Sequence, residues 1–381
     1  MDLHDLIRGM SWPIVGGAAA LILLSGALLA LSGGDTQDAR VQRALTDSGC
    51  PAAPAGPEFG KLYEGPLIDT HIHIPHPPDG PAAFDYIPQA QPSLGNNVTI
   101  SDYACVFAQE GIIKAFAFFP VFPGFEKTHL AVVKGTMERY PELFAPFIMP
   151  PDDDNSADGS PTVDAETLKT MLAPYPGFFE GYGEIGLYAR GDHGGPTGAP
   201  ALPPDSERLR AIYPVVRQND LLVYFHLGEG QQAAFERTAA ANPDIIFIFH
   251  GDQLVVYEHG GQNLSALDEI LYRHSNVRYG IDELYGDIWL LHPDKSKQEF
   301  FAHFKNYEKL LLQDVATWKA FIERHPNQVI WGTDRGVANT WSMDADVGMT
   351  LTRYARAFIA RLDPAVQEQF AYKNAERLLT R

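Results

Sequence analysis

The chain has 381 residues, 45% of them hydrophobic and 20% charged, a globular rather than disordered composition. Its formal net charge of −19 works against a phosphate backbone as partner, and no run of Lys and Arg offsets it, so no nucleic acid is expected. The two cysteines, Cys50 and Cys105, sit in neither CxxC nor Cys/His zinc spacing, which excludes a disulfide-rich scaffold or a zinc ribbon.

Residues 12–31 read WPIVGGAAALILLSGALLAL, a run without charge whose length matches the hydrocarbon core of a bilayer at helical rise. A buried core helix would keep polar positions on one face. The segment is therefore a signal sequence or a retained transmembrane anchor. The leading MDLHDLIRGM, with one Arg against two Asp, makes a poor signal n-region, so residues 1–32 are expected to be an anchor. The rest of the chain is then expected outside the cytoplasm, in a bacterial periplasm, or secreted if the segment is cleaved. Residues 33–64, which include CPAAPAGPEFG, lack apolar periodicity and read as a Pro/Ala/Gly-rich tether. Cys50 falls in this tether and Cys105 in a helix-like apolar run; nothing in the sequence pairs them.

From residue 65 to 381 short apolar runs alternate with helical patterns, which predicts βαβ units and a parallel sheet. The strands are expected at 67–74 (LIDTHIHI), 112–119, 143–149, 181–187, 221–227, 245–250, 277–282 and 328–334. Helical patterns fall between them, for example at 126–140, 205–217, 231–241, 264–274 and 315–324. Eight such repeats suit one (β/α)8 TIM barrel of the α/β class. Two inserts, 75–97 and 190–204, follow the first and fourth strands at the end where barrel enzymes build their sites.

The first strand carries Asp69-Thr70-His71-Ile72-His73. Alternate side chains share a face, so His71 and His73 point together into the barrel mouth, about 7 Å apart along the strand. Two imidazoles so placed can chelate one metal ion. Strict alternation puts Asp69 on the same face below them, where it braces the strand. His226, His250 and Asp334 each end a nearly apolar strand, and Glu184 lies on the fourth strand facing the same mouth. Any one of them could be a satisfied residue at a core edge. Together they form a metal-binding donor set. Arg335 follows Asp334 and could pair with a substrate carboxylate, or form a salt bridge at the barrel rim. Arg190 and His193 lie in the second insert and could touch substrate; Tyr224, deeper than His226, reads as core.

DTHIH, the strand-end histidines, WGTDRG and YKNAERLL resemble the amidohydrolase superfamily, most of all its amidohydrolase 2 branch of decarboxylases and hydrolases. The resemblance implies that His71, His73, His226 and Asp334 hold a divalent metal ion, Zn2+ by expectation. Asp334 would handle the proton of the attacking water, and His250 would act as acid/base group or hold a second ion. GYGEIGLY also resembles the strand of TatD-type deoxyribonucleases in which a glutamate bridges two metals. Glu184 is thus a ligand or a carboxylate orienting a histidine, and one ion is expected with room for a second. The expected reaction is hydrolysis of a lactone, ester or amide of a small substrate. Decarboxylation on the same donors is the alternative, and a TatD-like phosphodiesterase the more distant one, disfavoured by the acidity.

Overall fold

The computed structural model describes residues 50, 52–74, 100–121, 124, 126–150, 160–188, 201–250, 264–282, 284–286, 290–291, 295–336 and 341–381. The expected anchor at 1–32, the insert at 75–97, and Arg190 and His193 of the second insert lie outside these residues. Among the described residues no helix is long and apolar enough to cross a membrane.

The strands are β1 (Leu67–His73), β2 (Ile112–Pro120), β3 (Phe144–Met149), β4 (Gly181–Gly186), β5 (Leu222–His226), β6 (Phe247–His250), β7 (Val277–Ile281) and β8 (Val329–Trp331). They pair in parallel in sequence order, forming one eight-stranded sheet. The ring closes between β8 and β1: the amide of His73 donates to the carbonyl of Arg335 at 2.8 Å, and Thr70 Oγ1 to that of Trp331 at 2.8 Å. Ile72 and Arg335 form a bridge at the same place.

The helices are α1 (Ile100–Glu110), α2 (Glu126–Arg139), α3 (Ala165–Leu172), α4 (Glu207–Gln218), α5 (Gln232–Ala241), α6 (Ser265–Arg273), α7 (Lys297–His303), α8 (Tyr307–Arg324), α9 (Ala345–Ile359), α10 (Pro364–Glu368) and α11 (Asn374–Leu379). Ser206 caps α4 by accepting from the Leu209 amide, and Ser296 and Glu299 form a reciprocal capping box on α7. Asn374 ties the C-terminal helix to the base of β8 by donating to the carbonyls of Pro326 and Val329.

Period-two alternation sorts the strand residues into two cores. One fills the barrel with Ile68, Phe116, Phe118, Ala145, Phe147, Leu222, Tyr224, Ile248 and Ile330. The other lies between sheet and helices and takes the alternate residues, such as Ala117, Ile148, Val223, Phe225, Phe249 and Trp331. Both strand faces are buried, which explains the near-continuous apolar runs. The same parity carries His226, two residues after Tyr224, and His250, two after Ile248, to the interior end of the barrel.

On β1 the alternation breaks. Asp69 pairs with Ala115 and Ile72 with Ala117, so β1 spends one residue more than β2 over this stretch. This bulge switches the inward parity from Ile68 to His71 and His73. It corrects the expectation that Asp69 shares their face. Asp69 instead accepts from the amides of His71 (3.1 Å) and Thr333 (3.0 Å) and from the Thr333 hydroxyl (2.6 Å). It braces β1 against the end of β8.

The expected tether differs in a second way. Residues 52–65 pack onto the barrel rather than leaving it. Phe59 is 1% exposed among Phe304, Tyr307 and Tyr354. Arg353 donates to the carbonyl of Pro57, and Arg356 to those of Tyr63 and Gly65. Cys50 forms a disulfide with Cys105 of α1. An extended strap of this kind has no periodicity to read, because arginines from α9 satisfy its backbone carbonyls.

Candidate metal centre

Four donor atoms from three separate parts of the chain converge at the barrel mouth. Nε2 of His71 and Nε2 of His73 face each other at 3.0 Å. Oδ1 of Asp334 lies 3.2 Å from the first and 3.0 Å from the second. Oε2 of Glu184 lies 3.4 Å from the first and 3.3 Å from the second. Two ligands of one zinc ion at about 2.0–2.1 Å in a tetrahedron stand about 3.3–3.4 Å apart, so each of these five separations is close to that of two ligands sharing a divalent ion.

The other oxygen of Glu184 serves a neighbouring group. Oε1 lies 2.9 Å from Nδ1 of His226 and 2.6 Å from Nε2 of His250, whose rings are 4.2 Å apart. The structure thus brings together all six expected ligand and acid/base residues, but in a different division. His226 joins Glu184 and His250, whereas His71 and His73 group with Glu184 and are each approached by Asp334. Glu184 belongs to both groups, which gives the second the donors for another ion.

Asp282 is a member that sequence reasoning missed. It directly follows β7, and its Oδ2 lies 3.0 Å from Nδ1 of His71 and 2.8 Å from Nδ1 of His250. A carboxylate there takes the Nδ1 protons and so turns Nε2 of both rings toward the site. The signal was available: Asp282 ends an apolar strand as His226, His250 and Asp334 do.

The electrostatics favour positive charge at the centre. Burial lowers the pKa of His71, but Asp334, Asp282 and Glu184 outweigh it and hold the imidazole well above its usual range. His250, also opposed by burial, is pushed up to about 10 by Asp282 and Glu184. Burial alone would raise the three carboxylates, yet the imidazoles hold Glu184, Asp282 and Asp334 below the usual carboxylate range. A divalent cation answers the same demand.

The surroundings are aromatic and largely closed. The rings of Phe118 and Tyr224 lie 5.1 Å from that of His71, and Tyr224, buried as expected of core, brings its hydroxyl 3.4 Å from His71 Nδ1. Met149 Sδ sits 3.3 Å from Nδ1 of His73, and the Tyr188 ring packs edge-on to His226 at 4.6 Å.

Asp334 lies beyond the end of β8, with φ of +50°, a left-handed conformation that costs a non-glycine residue about 1–3 kcal/mol. Gly336 follows at φ +103°, where a Cβ would lie 2.1 Å from the His73 carbonyl oxygen. Between them Arg335 takes the salt-bridge alternative, inside the protein rather than at the rim. Its side chain has no exposure and is held by both oxygens of Glu110 at 2.9 and 2.6 Å, so its fork is spent inside the protein and does not await a substrate carboxylate.

A model of the family described as Amidohydrolase matches residues 68–381. None of the curated proteins matches the chain significantly in sequence. Among solved structures, the chain is similar to a probable 2-pyrone-4,6-dicarboxylic acid hydrolase from Acinetobacter baumannii, with 12% identity, TM-score 0.47, and coverage of 83% of this chain and 100% of that one. It is also similar to a 5-carboxyvanillate decarboxylase from Novosphingobium aromaticivorans complexed with manganese, with 12% identity, TM-score 0.46, and coverage of 86% and 99%. A third is an amidohydrolase 2 from Bifidobacterium longum subsp. infantis, with 17% identity, TM-score 0.42, and coverage of 82% and 98%.

Proposed function

The chain belongs to the amidohydrolase family, and on that premise we propose that it is a metal-dependent hydrolase that opens a lactone, ester or amide bond of a small substrate with water. The observation that carries this reading is the convergence of His73 Nε2, Asp334 Oδ1 and Glu184 Oε2 on His71 Nε2, at 3.0, 3.2 and 3.4 Å, at a barrel mouth. We place one divalent ion there, Zn2+ as first choice and Mn2+ as second. Glu184, His226 and His250 are the place a second would take.

Bound there, a divalent cation supplies Lewis acidity to water and to the substrate carbonyl. The protein's own groups manage the protons. Asp334 is the carboxylate that solvent reaches: its side chain is 39% exposed, against 13% for Glu184 and 6% for Asp282. It is placed to accept the proton of the attacking water. His250 presents Nε2 to the site while Asp282 holds its Nδ1 side, and it delivers a proton to the leaving group. Phe118 and Tyr224 wall the site below and limit entry of bulk water. The His250–Asp282 pair serves a second reading equally, proton delivery to carbon as a substrate carboxylate departs as CO2.

We also propose that the enzyme works outside the cytoplasm. The Cys50–Cys105 disulfide suits an oxidising compartment, and the uncharged run at 12–31 suits an anchor or a leader.

The test combines metal analysis with turnover in 18O-labelled water over a panel of small cyclic lactones, esters, amides and aromatic carboxylic acids. Label incorporation without CO2 supports hydrolysis, and CO2 release without label supports the second reading. Full metal content and turnover in a His71→Ala variant would remove the basis of both.

A further inference from the structure

Resting on the assignment of Asp334 as a metal ligand, we infer that Glu110 is a positioning residue for that ligand, acting at a distance through Arg335. The pair is continuous with the centre. Arg335 donates from Nη1 and Nη2 to the two oxygens of Glu110, and from Nε to the Thr333 hydroxyl at 3.2 Å. Thr333 donates its hydroxyl and amide to Asp69, which also accepts the amide of His71. Asp334 is therefore bracketed: the residue before it is tied to β1 through Asp69, and the residue after it to α1 through Glu110. The Arg335 carbonyl meanwhile accepts from the His73 amide. Two of the ligating residues, His71 and His73, share these ties by their backbones.

The surroundings mark the pair as a device for geometry. Both side chains are fully buried. A fully buried ion pair is poor evidence of stabilisation, since apolar residues of the same shape do as well or better. It does fix direction, because the planar guanidinium admits one alignment with a carboxylate. Room for it is reserved: a Cβ on Gly348 of α9 would lie 1.5 Å from Glu110 Oε1 and 2.1 Å from Arg335 Nη1. The residue it holds, Asp334, sits in a left-handed conformation that its own chain does not prefer. The same helix α1 reaches β1, because the Tyr103 hydroxyl donates to the carbonyl of His73 at 3.2 Å.

A double-mutant cycle on the full chain tests this, with Glu110→Gln, Asp334→Asn and the two combined. The readouts are Co2+ affinity by chelator competition and the visible spectrum of the Co2+ protein, taken well below each variant's unfolding temperature. Glu110→Gln is expected to weaken Co2+ binding about 10–100-fold and alter the spectrum where Asp334 is present. In the Asp334→Asn background it is expected to change affinity less than about twofold, because the group it positions has gone. An equal loss in both backgrounds, or none with Asp334 present, overturns the inference while leaving the metal centre intact. If Asp334→Asn alone leaves affinity unchanged, the ligand assignment fails instead. Should Glu110→Gln not accumulate folded, the cycle is run with Glu110→Leu/Arg335→Met, which leaves no buried charge unpaired.

Discussion

Oδ2 of Asp282 lies 3.0 Å from Nδ1 of His71, and the same oxygen lies 2.8 Å from Nδ1 of His250. One carboxylate thus fixes the ring orientation of a metal ligand and of the acid/base group. Replacing Asp282 by Asn keeps the shape but removes the charge that favours both Nδ1–H tautomers. Metal affinity is expected to fall about 10–100-fold, with kcat reduced more than KM is raised. Chelator competition and steady-state kinetics check this. Unchanged values for both would mean that Asp282 is only a neighbour.

Metal loading should also release protons. His71 is held well above its usual pKa and His250 at about 10, so both imidazoles are protonated at neutral pH before a cation arrives. A ligand nitrogen must shed its proton to bind. Affinity is therefore expected to rise with pH between about 6 and 9, roughly tenfold per unit for each proton displaced. Titration calorimetry at pH 7 in two buffers of different ionisation enthalpy reads the number directly. A buffer-independent binding heat would mean that neither imidazole carries a displaceable proton at that pH.

How much of this centre is legible in sequence depends on the range of each signal. His226 and His250 can be placed because period two is local: Tyr224 and Ile248 face the barrel, so the residues two places on do so as well. Asp282 carries the same signal, at the end of an apolar strand, and belongs with them. Alternation places His71 and His73 correctly relative to each other but misplaces Asp69, because a bulge between Asp69 and Ile72 leaves no trace in residue type. Arg335 cannot be read at all without its partner, which lies 225 positions away in sequence. The strap at 52–65 reads as a linker because its anchors, Phe59 and Tyr63, are isolated apolar residues in a Pro-rich segment. Nothing local says that arginines of α9 will receive its carbonyls.

That strap leads to a stability prediction. The disulfide joins Cys50 to Cys105 across 55 positions, so it closes a long loop in the unfolded chain. Chain-entropy reasoning gives about 4 kcal/mol for such a loop, and measured cases more often about 2–4 kcal/mol. Reduction, or a Cys50→Ala/Cys105→Ala variant, should lower the unfolding temperature by several degrees. Metal content at 25 °C should be kept, because neither sulfur touches the donor set. Phe59→Ala should cost about 3–5 kcal/mol separately, as a buried ring lost from an aromatic cluster. Thermal unfolding with and without reductant checks both effects. An oxidised protein whose curve ignores reductant would show that the strap is held by packing alone.

The last prediction concerns Asp314, which is 2% exposed and pins the turn after β7. Its Oδ2 accepts from the Tyr285 amide at 2.8 Å and the Tyr354 hydroxyl at 2.6 Å, and Tyr285 there has φ of +88°. Burial pushes this carboxyl up to about 6, against hydrogen bonds from Tyr354, Tyr285 and Gly286 and the charge of His303. A raised carboxyl pKa means that the folded state binds more protons than the unfolded state between roughly pH 4 and 6. The contribution of Asp314 is therefore full below its unfolded pKa and lost as pH rises through 6, by about 3 kcal/mol. Asn at this position keeps an oxygen acceptor but cannot ionise. The stability of Asp314→Asn relative to wild type should thus improve by up to about 3 kcal/mol from pH 4 to pH 7, other groups cancelling in the difference. Urea unfolding of both proteins at four pH values measures it, and a difference that stays flat would place the Asp314 pKa near that of an ordinary aspartate.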